Sequence, residues 1–150
     1  MEYIERQADG SFELQRYEAY ATAQHVRLSA LMGGEDLHTA DRNGLVGKRT
    51  LHDAWLLDLR VVHPRGDDEA TAVHLRLLGA YHDRYFVIRY QGVSASKVEV
   101  PEAREDLLAH EVRLRQAGGL VHELLFASGR AIVIECLGIE FTEEPVEMTQ

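Results

Sequence analysis

Leu51–His63 reads L-H-D-A-W-L-L-D-L-R-V-V-H. Leu51, Trp55, Leu57, Leu59 and Val61 share one parity, and Asp58 and Arg60 take the other. Alternation of this kind marks a long β-strand with one buried face and one wetter face. Two further runs continue the pattern, about 69–79 (Val73, Leu75 and Leu77 against His74 and Arg76) and about 84–92. Joined by the loop Pro64–Asp68 and a turn at His82-Asp83, the three predict an antiparallel meander. The register that aligns their apolar residues pairs Trp55 with Leu77, Leu57 with Leu75 and Leu59 with Val73. On the next strand it sets Leu77 beside Ile88 and Leu75 beside Tyr90. Asp58 then lies opposite His74 on the outer face, and Arg76 opposite Arg89, an unfavourable pair unless a carboxylate or anion lies between them.

Upstream, residues 1–10 are polar and expected to be loosely held. Ser11, with Asp9 as rival, is the expected N-cap of a helix over about 11–32, and Glu13 suits its positive end. Leu14, Tyr17, Ala21, Leu28 and Leu31 form its apolar stripe, broken by Gln24, and Gly33-Gly34 is the stop signal. Residues 35–50 show neither helical nor strand period; Asn43-Gly44 and Gly47 mark turns, and a connection of this length suits a cover over the end or edge of a sheet.

Downstream, Ser96–Val100 reads as a short strand. Pro101, followed by Glu102, Glu105 and Asp106, predicts a short helix to about Leu108. His110–Gln116 and Leu120–Ala127 form a hairpin around Ala117-Gly118-Gly119, pairing Val112 with Leu124, Leu114 with His122 and Arg113 with Glu123. Ala131–Phe141 is the last strand, with a bulge expected near Gly138, and the acidic tail from Thr142 is expected to fray. The predicted fold is α+β in a single domain spanning residues 1–150. An N-terminal helix packs on one curved antiparallel sheet of about six strands, either partial barrel or sandwich, with a short helix near 101–108.

Composition bounds the function. A chain of 150 residues is long enough to bury a full core without metal or disulfide. The single Cys136 excludes an intrachain disulfide and favours a reducing, cytoplasmic setting. The first ten residues lack the apolar centre of a signal peptide, and no apolar run approaches the ~20 residues of a membrane helix. The formal net charge of −9, with no basic cluster denser than Lys48-Arg49, argues against nucleic acid and for attraction of a basic protein partner.

Motifs that carry chemistry are sparse. His52-Asp53 matches a metal-phosphohydrolase dipeptide in letters, but it opens a strand and not a helix. The expected role is structural, with the side chains bonding backbone at the start of the strand. The alternative is a small-molecule hydrolase using His52 and Asp53. Eight histidines show no metal-ligand spacing, so no metal or cofactor is expected. His110 and His122 share parity with apolar neighbours and read as core-edge residues. Gly44–Thr50 has glycines too closely spaced for a phosphate loop and leads into a strand. Cys136, within I-V-I-E-C-L-G-I, reads as an inert buried thiol. The proposed pairings gather Asp58, Arg60, His74, Arg76, Arg89 and Gln91 on the outer face of three strands. That group is the candidate binding surface, for an anion beside Arg76 and Arg89 or for a protein partner.

Leu51-His52-Asp53-Ala54, with Tyr17 and Tyr20 upstream and the meander downstream, resembles a group of small uncharacterised bacterial proteins in which an L-H-D motif opens the first strand. The resemblance implies the layout and carries no activity. Some small acidic bacterial proteins of this general type are regarded as toxin-neutralising immunity proteins, which implies protein binding. The expected function is a non-enzymatic binding or interaction module. Besides the hydrolase, a third reading is a ligand-carrying barrel with its cavity between helix and sheet.

Overall fold

The computed structural model describes residues 1–63 and 71–147. The expected loop Pro64–Asp68, the start of the second strand and the last three residues lie outside that range. The chain opens with a small hairpin, β1 (Glu5–Arg6) and β2 (Phe12–Glu13). Asp9 accepts both the N–H and the Oγ–H of Ser11, at 3.0 and 2.6 Å, so Ser11 closes this hairpin and does not cap a helix. The single helix expected over 11–32 is two, α1 (Gln15–Ala23) and α2 (His25–Ala30), interrupted at Gln24, the residue that breaks the apolar stripe. Glu13 accepts the Gln15 N–H at 2.7 Å and serves the start of α1 in place of a cap. Gly33 and Gly34 follow α2 with φ of +63° and +87°. A single turn, α3 (Ala40–Asn43), lies in the segment that showed no period.

Then come β3 (Trp55–Val62), β4 (Ala72–Leu78), β5 (Arg84–Gln91), β6 (Ala95–Val98), β7 (Leu107–Leu114), β8 (Leu120–Phe126), β9 (Ala131–Cys136) and β10 (Gly138–Pro145). They form two antiparallel sheets of four strands, ordered β10-β5-β4-β3 and β6-β9-β8-β7. Neither closes into a barrel, and the one curved sheet of about six strands is not what forms. The class is α+β, dominated by antiparallel strands. A lone bridge between Trp55 and Asp106 joins the start of β3 to the second sheet.

The reason for two sheets lies at Leu137. The stretch read as one bulged strand, Ala131–Phe141, is cut there: β9 pairs with β8 and β6, while β10 crosses over to pair with β5. Leu137 is exposed at this corner and donates its N–H to the Gln91 carbonyl at 2.9 Å. Strands that switch sheets in this way make the corners of sandwiches. β10 also runs through Thr142–Pro145, so the first four residues of the expected frayed tail are paired strand. The opening residues are held too, with Ile4 buried.

No helix forms near 101–108. Arg104 takes φ of +63°, Glu105 turns back to accept the Glu102 N–H at 2.8 Å, and β7 has begun by Leu107. Pairing of β7 with β8 outweighs the local helix-start signal.

The registers differ from the expected ones. β3–β4 is displaced by one residue before a bulge at Leu57 and by two beyond it. β4–β5 and β7–β8 are each displaced by two, the turn after β4 widening to Ala80–Asp83 and the turn after β7 moving back by one residue. Trp55 pairs with Leu78 and Leu56 with Leu77, and beyond the bulge Asp58 pairs with Arg76 and Leu59 with Leu75. Leu75 meets Ile88 and Leu77 meets Phe86. Val112 meets His122, Leu114 meets Leu120 and Glu111 meets Glu123, so Arg113 faces Val121. A shift of one would turn each strand over; a shift of two keeps its faces and changes which side chains meet. Leu57, expected in the core, is 50% exposed at the bulge, and Trp55 is half-buried with Nε1 donating to Asp106 at 2.8 Å. The core between the sheets holds Leu75, Leu77, Phe86, Ile88, Phe126 and Phe141, with Tyr17 and Leu28 entering from the helices.

Candidate functional site

The outer face of the first sheet gathers polar side chains because alternate residues of its strands point away from the core. A shallow cleft of about 240 Å³ there is lined by Asp58, Arg60, His74, Arg76, Arg89 and Glu144 among others. Five of the six surface candidates therefore share one place. Gln91 sits on a separate depression bordered by Met32 and Leu137.

Arg76 and Arg89 are diagonal neighbours, not opposed, since Arg76 faces Val87 and Arg89 faces His74. Each has its own carboxylate. Arg89 pairs with Glu140 at 3.1 Å, Arg76 approaches Glu144 at 4.0 Å, and Arg60 pairs with Asp58 at 2.9 Å. Arg76 also lies 3.9 Å from the centre of the Tyr85 ring. Asp58, expected opposite His74, lies opposite Arg76. Glu140 and Glu144 come from β10, whose place beside β5 follows from the sheet switch and had no local sequence signal. With three arginines against three carboxylates, the two candidate anion holders are already compensated.

His52 and Asp53 sit where the chain turns into β3. His52 Nδ1 donates to the Leu108 carbonyl at 2.8 Å, and its Nε2 lies 3.4 Å from Asp53. Asp53 has φ of +65° and donates its N–H to the Leu107 carbonyl at 2.8 Å. Both residues thus tie the Leu51–Ala54 turn to β7. Among the described residues no group of three or more His, Cys, Asp or Glu is arranged to hold a metal.

The most unusual polar arrangement is internal. Tyr90 Oη lies 2.6 Å from His122 Nδ1, His122 Nε2 lies 3.1 Å from His110 Nδ1, and His110 Nε2 lies 3.0 Å from the Arg42 carbonyl. All three side chains are buried. The carbonyl only accepts, so His110 Nε2 carries a proton and its Nδ1 accepts. His122 Nε2 must then donate, its Nδ1 accepts, and the Tyr90 hydroxyl donates to it. One direction of donation satisfies the chain with both rings neutral. Burial pushes His110 down to about 4, and burial, with the neighbouring His110 and Arg113 adding to it, holds His122 well below the ordinary histidine value. Burial likewise raises Tyr90 well above the usual phenol. The shared parity of the two histidines with apolar neighbours was visible in the sequence; Tyr90 and Arg42 as their terminal partners were not.

Arg42 anchors the long connection. Buried in α3, it binds Asp36 at 2.9 Å, Glu143 at 3.1 Å and the Arg49 carbonyl at 3.2 Å, with its guanidinium 4.7 Å from the Phe141 ring centre. Burial pushes Asp36 and Glu143 up, but their arginine partners more than offset it and hold both below the ordinary range. Glu111, fully buried, accepts the N–H groups of Glu2, Tyr3 and Ile4 at 3.0–3.2 Å and pairs with Arg113 at 3.1 Å. Cys136 is buried, its thiol pushed up to about 11 by desolvation, as an inert thiol should be.

The fold defines a class, an α+β protein of two apposed antiparallel sheets. Comparison of the chain with protein-family models, curated proteins and solved structures finds no match.

Proposed function

We propose that the protein is a non-enzymatic binding module that docks a protein partner through the outer face of the β10-β5-β4-β3 sheet. One observation carries this reading: three arginines, one of them stacked on Tyr85, share an exposed sheet face with three carboxylates. Arginine and tyrosine dominate binding energy where a partner removes water from them. The cleft is shallow, which suits a protein surface better than an enclosed small molecule. The net charge of −9 steers a basic partner towards the molecule, and Asp58, Glu140 and Glu144 offer it local anions. Likeness of layout to small acidic bacterial proteins, including those regarded as immunity proteins, supports the same reading, and a lone buried cysteine suits a cytoplasmic setting. The test is affinity capture from cells of the source organism with wild type and an Arg76→Glu/Arg89→Glu variant. A protein retained by wild type and lost by the folded variant is the expected result. Equal recovery by both, or none by wild type, would overturn the proposal.

A further inference from the structure

β-Sheet edges expose unpaired N–H and C=O groups, and native proteins cover or block them. Here β7 is covered. Tyr17 Oη accepts the Val112 N–H at 2.8 Å and donates to the Val112 carbonyl at 3.1 Å, and Tyr20 Oη accepts the Leu114 N–H at 2.9 Å. The start of β10 is also met, the Ile139 N–H donating to the Leu31 carbonyl at 3.0 Å. β6 is only four residues long and carries Lys97. β3 is different. It is the terminal strand of its sheet, and past the bridge at Trp55 no hydrogen bond to its free edge occurs among the described residues. It contains neither lysine nor proline, its bulge is confined to Leu57 and leaves Asp58–Val62 as regular ladder, and Leu57, Val61 and Val62 are 50%, 43% and 45% exposed.

The sequence of this edge is self-complementary. In Leu57-Asp58-Leu59-Arg60-Val61, opposite charges flank a central leucine and apolar residues stand at both ends. We propose that the free edge of β3 is a self-association site, where two copies of the chain pair antiparallel about Leu59. That register sets Asp58 against the other copy's Arg60 at both symmetric positions, Leu57 against Val61, and Leu59 against itself. Moving it by two residues either way brings Asp58 against Asp58 or Arg60 against Arg60, which costs stability. Charge complementarity therefore picks one register and one occupant, a second copy, because a self-matched patch is what a twofold interface requires. The side chains that pair along one strand at 2.9 Å exchange partners across the twofold axis. The two first sheets join edge to edge, and Asp58 and Arg60 turn to the other copy. Arg76, Arg89, Glu140 and Glu144 of the same face stay open to a docked partner, and the inference does not rest on the proposed docking function.

Sedimentation velocity over a concentration series tests it, with Asp58→Arg, Arg60→Asp and an equimolar mixture of the two beside wild type. Wild type is expected to form dimers with rising concentration, and hydrogen exchange of the β3 amides is expected to slow in step. Each single variant places like charges together at both positions and should dimerise at least tenfold more weakly. The mixture places opposite charges together again and should recover dimers containing one copy of each. A wild type that stays monomeric with unchanged β3 exchange, single variants that dimerise like wild type, or a mixture that does not recover, each overturns the proposal.

Discussion

His110 holds a backbone carbonyl on one ring nitrogen and a second buried histidine on the other, so it has no room for an additional proton. Its value falls from 6.5 in the unfolded chain to about 4 in the fold. Unfolded chain therefore binds protons that folded protein refuses, and stability, intact above about pH 6.5, declines as pH falls towards about 4. At pH 5 the loss from His110 alone amounts to roughly 2 kcal/mol, and His122 adds to it. Urea unfolding at pH 7 and pH 5 measures this, and His110→Gln should flatten the difference. A second expectation concerns Tyr90→Phe, which keeps the ring and strands His122 Nδ1 without a donor; the cost should be about 1–3 kcal/mol in chemical denaturation. Parity alone marked His110 and His122 as inward-facing. It could not show that they touch, because the contact depends on a hairpin register two residues away from the one the apolar pattern favoured.

Among elements, α1 matters less as a helix than as a carrier of hydroxyls. Tyr17→Phe removes the group bonded to both the N–H and the carbonyl of Val112 and should cost about 1–3 kcal/mol in thermal or chemical unfolding. It should also leave the middle of β7 open, read as faster exchange of the Val112 amide. The spaced tyrosines were noticeable in the sequence, but their job was not, since it depends on which strand ends its sheet. Strands with clear alternation, β4, β5 and β8, were readable because each buries one face. The segment around Arg104 misled: Pro101 and nearby acids favour a helix locally, yet Glu105 satisfies Glu102 and Ser128 N–H groups while the backbone leaves for β7. At Leu137 the alternation merely blurs, and nothing local separates a bulge from a change of sheet.

For the molecule as a whole, the connection 35–50 ties the two sheets together through Arg42, whose guanidinium binds Glu143 of β10 and whose carbonyl accepts from His110 of β7. Arg42→Ala would remove the shared cation of Asp36 and Glu143 and the cation packed on Phe141; because Asp36 keeps Arg49 and Glu143 keeps Arg84, a loss of about 1.5–3 kcal/mol, read by denaturant titration, is expected. Hydropathy patterning sees such a residue as surface, and only the assembled fold shows it buried. The candidate face was legible in its β3 to β5 members because strand parity survives a two-residue slip. Its neutralisation by Glu140 and Glu144 was not, since β10 arrives there from the opposite sheet.

The row of donors from Tyr90 through His122 and His110 ends on an amide oxygen. An amide oxygen takes a hydrogen bond and passes nothing onward, so the row is a cul-de-sac for protons and conducts none from one side of the molecule to the other. Both imidazoles are consequently frozen as the same tautomer. In a nitrogen-15 spectrum at neutral pH, each ring should show a protonated Nε2 and a bare Nδ1.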